Sequence, residues 1–96
     1  MTVVETLAFS RWLSSLDDVK GRARIVARIE RLRLLGHFGD CESVGEGVSE
    51  LRVHFGPGYR VYLCRRGADV VVLLGGGDKG SQARDIRAAQ ALAKEV

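Results

Sequence analysis

Proline occurs once in these 96 residues, at Pro57, tryptophan once, at Trp12, and cysteine twice, at Cys41 and Cys64. Lysine is nearly absent as well, supplying only Lys20, Lys79 and Lys94 among fifteen basic residues. Each shortage excludes something. No apolar run approaches the roughly 18 residues a bilayer-spanning helix needs. The opening MTVVETLAFSRW has no basic segment followed by a long apolar stretch, so a secretory signal is not expected. The two cysteines fall in no CxxC or Cys/His spacing, which argues against a zinc site and for two free thiols in a reducing cytoplasm. Cys64 is expected in or beside a strand and Cys41 in a loop.

What is present is an ordinary soluble composition, 46% hydrophobic and 28% charged, with a formal net charge of +3. The length fits one domain, residues 1–96, with a single thin core. Arginine dominates the basic residues, and its planar fork suits gripping phosphate or carboxylate. The modest excess of positive charge fits nucleic acid and an acidic protein partner equally well.

Val3 to Thr6 reads as a short strand, with Thr6 capping a helix to about Leu16 that puts Phe9, Trp12, Leu13 and Leu16 on one face. Asp17 and Asp18 mark a break and a second helix start. From Val19 to Leu35 the spacing predicts a helix burying Ala23, Val26, Ile29 and either Leu32 or Arg33, with Ile25 alongside. Arg22, Arg24, Arg28, Arg31 and Arg33 then form either a solvated basic face or a stripe contacting phosphate or a partner. Gly36 ends the helix, and HFGDCESVGEGVS reads as a loop. Strands are expected over about 48–55, 59–65 and 69–75, the last ended by Gly75, Gly76 and Gly77. A closing helix runs from about Ser81 to Lys94. The order β-α-α-β-β-β-α is an α+β fold, with two N-terminal helices on one face of a small antiparallel-rich sheet and the other face partly open.

Strand alternation places Leu51, Val53, Val61 and Leu63 on the core face, and Arg52, His54, Arg60 and Tyr62 on the opposite one. This parity demands an odd-length connection. A three-residue Gly56-Pro57-Gly58 loop would pair His54 with Arg60. Two guanidinium groups and an imidazole on an open face form an anion site, most simply for a phosphate. Alternatively, Arg60 pairs with Glu50 or Asp78 and holds the sheet. In GGGDKGSQARDI the spacing GxxxxGK(S/T) is missing, which excludes a Walker-type nucleotide site. No metal and no cofactor are expected. Ser81 and Gln82 are expected as caps of the last helix, with Asp85 in its first turn and Arg84 and Arg87 solvated or on a positive rim.

The stretch VSELRVHFGPGYRVYLCRRGADVVVLLGGGDKGSQARDIRAAQALA resembles the C-terminal half of RelE/HigB-type toxins of bacterial type II toxin–antitoxin modules, in the branch of addiction-module killer proteins. RWLSSLDDVKGRARIVARIERLRLLGHFGD fits as well, so the resemblance covers almost the whole chain. It implies a RelE-like fold and a cytoplasmic, ribosome-dependent mRNA endonuclease. That enzyme attacks the adjacent phosphate with the RNA 2′-hydroxyl and uses no metal. It also implies an antitoxin partner with a helix-turn-helix domain. Arg60 matches the arginine of the family's GYR motif and Lys79 the basic residue after the last strand. Arg52 sits near the RNA-gripping strand positions. Asp85 lies near a catalytic position at the start of the last helix. Parity, not the family, adds His54 as a base or acid. Arg52, Arg60, Lys79, Arg84 and Arg87 are the expected RNA contacts. The C-terminal tyrosine or histidine of some relatives is missing here. The same fold hosts ParE-like gyrase inhibitors, and a degenerate antitoxin-binding module is the third reading.

Overall fold

A computed structural model describes residues Met1–Val96. The elements are β1 (Thr2–Glu5), α1 (Leu7–Ser15), α2 (Val19–Leu35), β2 (Cys41–Gly45), β3 (Val48–Val53), β4 (Tyr59–Arg66), β5 (Val70–Asp78) and α3 (Gln82–Ala93), with a single 3₁₀ turn at Lys79–Ser81. The sheet order is β1-β5-β4-β3-β2. β1 lies parallel to β5 and every other neighbour pair is antiparallel. The expected α+β fold stands, with one strand added.

Local chemistry sets the helix starts. The Thr6 hydroxyl accepts from the Phe9 N–H, and the Asp18 carboxylate accepts from the Gly21 N–H. A side-chain cap of the Thr6 kind contributes about 1 kcal/mol. Gly36 closes α2 in the left-handed conformation. Phe9 is fully buried and Trp12, Leu13 and Leu16 pack beside it, as the spacing predicts.

The phase of α2 differs from the expectation. Its buried residues are Gly21, Ile25, Ile29 and Leu32, while Ala23 and Val26 face outward. The core takes the branched side chains four apart, so the inward stripe is rotated toward Ile25. That rotation carries Arg28 inward, away from the solvated face expected for it. Its guanidinium donates to the carbonyls of Arg52 and Phe38 (2.8 Å to the latter) and satisfies a loop that would otherwise have unpaired acceptors.

Part of the expected loop is β2, which pairs Cys41 with Leu51 and Glu42 with Glu50. Cys41 therefore opens a strand; Cys64 is buried within β4. Leu51 pairs with Val61, Arg52 with Arg60 and Val53 with Tyr59. The connection is odd in length, as parity requires, but it spans 54–58, not three residues, so Arg60 opposes Arg52 and not His54. Its tip is a turn closed by the Gly58 N–H on the Phe55 carbonyl (3.1 Å), with Gly56 at φ 56° and Gly58 at φ 79°. Both positions are in the left-handed region that favours glycine.

β5 does not stop at its glycines. It continues to Asp78, pairing Gly75, Gly76 and Gly77 with Tyr62, Val61 and Arg60 after a bulge. A β-carbon at Gly76 would run into the Trp12 ring and one at Gly77 into the Asp85 carboxylate, so the glycines let α1 and α3 close on the strand from opposite sides.

Two apolar clusters sandwich the sheet. One gathers Phe9, Ile25, Ile29, Leu32, Leu51, Val61, Leu63 and Leu73 beneath α1 and α2. The other gathers Val48, Tyr62, Cys64, Val72, Leu74 and Ala89 beneath α3. The second sheet face is thus covered by α3, which corrects the expectation of a partly open face. Val72, Leu74 and Cys64 on that face must be removed from water, and the Ile86, Ala89 and Leu92 side of α3 does so.

Candidate functional site

The site is built on the α3 side of the β3–β4 ladder. The register sets Glu50 opposite Tyr62 and Arg52 opposite Arg60, and alternation aims all four side chains the same way. Glu50 is completely buried. Its Oε2 accepts from the Tyr62 hydroxyl (3.2 Å) and from Gln82 Nε2 (2.8 Å). Its Oε1 accepts from Arg52 Nε (3.1 Å) and stands 3.8 Å from Arg60 Nε.

Arg60 is nine-tenths buried. Its Nη1 donates to the Gly58 carbonyl at 2.9 Å, and its buried Nε has no hydrogen-bond partner. Nη2 bonds no protein acceptor and is not among the sealed atoms, so it keeps contact with solvent. The exposed Lys79 stands beside it: a β-carbon at Gly58 would lie 2.9 Å from Arg60 Nη1 and 3.6 Å from Lys79 Cβ. Lys79 has no carboxylate within ion-pair distance, so its ammonium is available.

Arg52 is half-buried and ringed by acids. Besides Glu50 it pairs with Glu42 and lies 3.8 Å from Asp40. The hydrogen bond to Glu50 is the largest influence pushing its guanidinium above the usual arginine range. The expected repulsion between bare cations is therefore reduced, because Glu50, Glu42 and Asp40 offset the two guanidinium charges. Arg60 does approach Glu50, the alternative partner weighed from sequence, but without a completed bond.

His54 lies outside this cluster. It is exposed, bonded through Nε2 to Asp40, and lines a groove of about 310 Å³ with Arg24, Arg28 and Arg31. The His54 bond holds the Asp40 carboxyl below the usual range, more than Arg52 does. Asp40 links the histidine to Arg52. Asp85 projects from the first turn of α3 over Gly77, the strand partner of Arg60, and accepts a hydrogen bond from Ser81. It also closes one end of an apolar cleft of about 340 Å³ between Trp12 on α1 and Ala88 and Leu92 on α3. Arg84 pairs with Asp85 at 3.7 Å, and Arg87 is exposed with no ion-pair partner. Neither bonds to Arg60. Gln82 is spent on Glu50, and Ser81 makes no side-chain cap bond to α3, its hydroxyl instead accepting from the Asp78 N–H across the 3₁₀ turn, so neither caps α3 by side chain.

Burial first, and then the Glu50 charge, push the Tyr62 hydroxyl well above the usual phenol range. The Asp18 hydrogen bond, with burial next, pushes Tyr59 up to about 12. Both tyrosines are neutral donors at ordinary pH and neither can act as a base. No group of three or more His, Cys, Asp or Glu side chains could hold a metal ion, and no helix is long and apolar enough to cross a membrane.

Sequence reasoning missed the convergence on Glu50, together with Gln82, Asp40 and Arg28. One signal was available: Glu50 and Arg52 are two apart on a strand and so share a face with Tyr62. The contribution of Gln82 has no such signal, because it depends on where α3 lands.

The profile of a family described as phage-derived protein Gp49-like (DUF891) matches residues 11–95. An uncharacterized protein of Haemophilus influenzae is 50% identical over 91 residues, which cover 95% of this chain and 91% of that protein.

Proposed function

This chain belongs to the phage-derived Gp49-like family, and we propose that it is the toxin of a toxin–antitoxin pair, a cytoplasmic endoribonuclease that cuts messenger RNA on the ribosome. The observation that carries this reading is Arg60: a buried guanidinium, anchored at Gly58, with its outer edge open to solvent beside an unpaired Lys79. A fixed donor in a partly dehydrated setting is the arrangement that stabilises charge on a phosphate as it becomes five-coordinate.

In this mechanism the RNA 2′-oxygen attacks the adjacent phosphorus and the bond from phosphorus to the 5′-oxygen breaks. The products are a 2′,3′-cyclic phosphate and a 5′-hydroxyl. Arg60 Nη2 and the Lys79 ammonium hold the non-bridging oxygens. Arg52 and the exposed Arg84 and Arg87 grip flanking phosphates. His54 stands outside the Arg60 cluster, bonded through Nε2 to Asp40, and serves as the base, through Nδ1, where the RNA also crosses the Arg52 side that Asp40 links to it. The departing 5′-oxygen gains its proton from solvent, relayed by Asp85 on the α3 side. The partner is a small antitoxin with a helix-turn-helix domain, whose acidic or amphipathic segment covers the basic face or the N-terminal helices.

The test is purified protein added to ribosomes translating a defined message, with primer extension to find cuts and a gyrase supercoiling assay in parallel. Cleavage within the decoding site supports the reading. Intact message with arrested supercoiling would overturn it in favour of a gyrase inhibitor, and no effect in either assay would favour a module that only binds an antitoxin.

A further inference from the structure

Glu50 is the one carboxylate in the protein with no solvent exposure. Burying a charged or polar group is costly unless it is paired and hydrogen-bonded, and here the pairing comes from three separate elements. Tyr62 on β4 and Gln82 on α3 fill Oε2, while Arg52 on β3 bonds Oε1 and Arg60 on β4 stands 3.8 Å from it. The two oxygens are divided by chemistry. One takes neutral donors that fix the carboxylate, and the other faces two guanidinium groups.

That division matters because Arg52 and Arg60 are opposite residues on neighbouring strands. Like charges so placed repel, and each side chain would swing away without an anion between them. Glu50 supplies that anion from inside the protein. It meets both arginines at Nε, the inner edge, which leaves Nη2 of Arg60 turned outward. Arg60 Nε is buried and unbonded, and Glu50 is the only carboxylate within 4 Å of it. Arg52 also pairs with Glu42 and Asp40, so Arg60 is the member of the pair whose charge is left for an incoming anion.

We propose that Glu50 is a positioning residue: clamped by Tyr62 and Gln82, it faces the Nε edges of Arg52 and Arg60 and keeps them side by side, so that the outer edge of Arg60 stays turned toward the phosphate. As a statement about which site performs RNA cleavage this rests on the function proposed above. As a statement about what holds the arginines it stands alone.

The test joins nuclear magnetic resonance of the arginine Nε–Hε groups to cleavage kinetics. In the unaltered protein the Nε–Hε protons of Arg52 and Arg60 should exchange with water about tenfold or more slowly than those of Arg84 and Arg87. In Glu50→Gln, which nearly keeps the shape, that protection should vanish while the backbone spectrum stays dispersed. Its kcat should fall on the order of 100-fold, the scale of a small misplacement of a catalytic group, with KM little changed. Should Glu50→Gln not fold, Gln82→Ala decides, since it loosens the carboxylate from the α3 side and should show a smaller loss of the same protection. Arg60 Nε–Hε exchanging as fast as that of Arg87, or protection unchanged in the variants, overturns the proposal. If the unaltered protein cleaves no RNA, the cleavage reading fails, and the exchange measurements still decide whether Glu50 holds the pair.

Discussion

Arg52 and Arg60 face each other across the β3–β4 ladder, and the carboxylate of Glu50 stands on their inner side, 3.1 Å from one Nε and 3.8 Å from the other. Two like charges are tolerated at opposed positions because a third residue on the same strand face compensates them. The same placement leaves the outer edge of Arg60 open to solvent.

On the proposed nuclease function, replacing Arg60 by alanine should lower RNA cleavage on the order of 100-fold or more, as expected for losing one fixed donor to a charged transition state. Arg60→Lys should recover little, because a single ammonium cannot bond both Gly58 and a phosphate through a planar fork. Circular dichroism should report an intact fold for both. Undiminished cleavage by Arg60→Ala would remove this residue from the site.

The strand glycines should differ sharply from one another. Gly77→Ala puts a methyl group into the Asp85 carboxylate and should cost about 1–3 kcal/mol of unfolding free energy. A β-carbon at Gly75 meets nothing within 4 Å, so Gly75→Ala should be near neutral. Urea denaturation of the two variants compares them directly, and equal losses would contradict the described packing of α3 on β5.

The α2 phase is equally open to measurement. Ile25→Ala removes a fully buried side chain and should cost about 2–5 kcal/mol. Val26, 41% exposed, should lose far less on the same change. The reverse ranking in thermal unfolding would restore the phase expected from spacing.

Tyr59 and Asp18 form one hydrogen bond and should titrate as linked groups. The folded Tyr59 hydroxyl, raised to about 12, contributes stability that is complete below its unfolded value near 10 and is lost as pH climbs through 12. Asp18 is shifted the opposite way, below the usual carboxylate value, by the Gly21 N–H first and Tyr59 second. Its contribution is present above the unfolded carboxylate pKa of about 4 and disappears as pH falls through the lower folded value. Ultraviolet absorbance of tyrosinate should show Tyr59 ionising at lower pH in Asp18→Ala. An unchanged titration would mean that the bond does not persist in solution.

Much of this protein follows from the order of its residues alone. The Thr6 and Asp18 caps, the apolar side of α1, the Gly36 stop and the parity of β3 and β4 each depend on groups within a few positions, or on a two-residue alternation, and local stereochemistry decides them. Membership of the Gp49-like family is likewise carried by the sequence, over residues 11–95.

The tertiary structure decided what depends on contact between distant segments. β2 pairs at Cys41–Gly45 because β3 offers an edge, not because its own short CESVG sequence favours a strand. The rotation of α2 follows its packing on a core that includes Phe9 and Leu51, which buries Ile25 ahead of Ala23 and Val26 and brings Arg28 to the Arg52 and Phe38 carbonyls. Whether Arg60 would be bare or compensated turned on a longer hairpin connection and on α3 delivering Gln82 to Glu50. Burial and long-range electrostatics depend on every element at once, so the charge state of such a site cannot be read from the spacing of its residues.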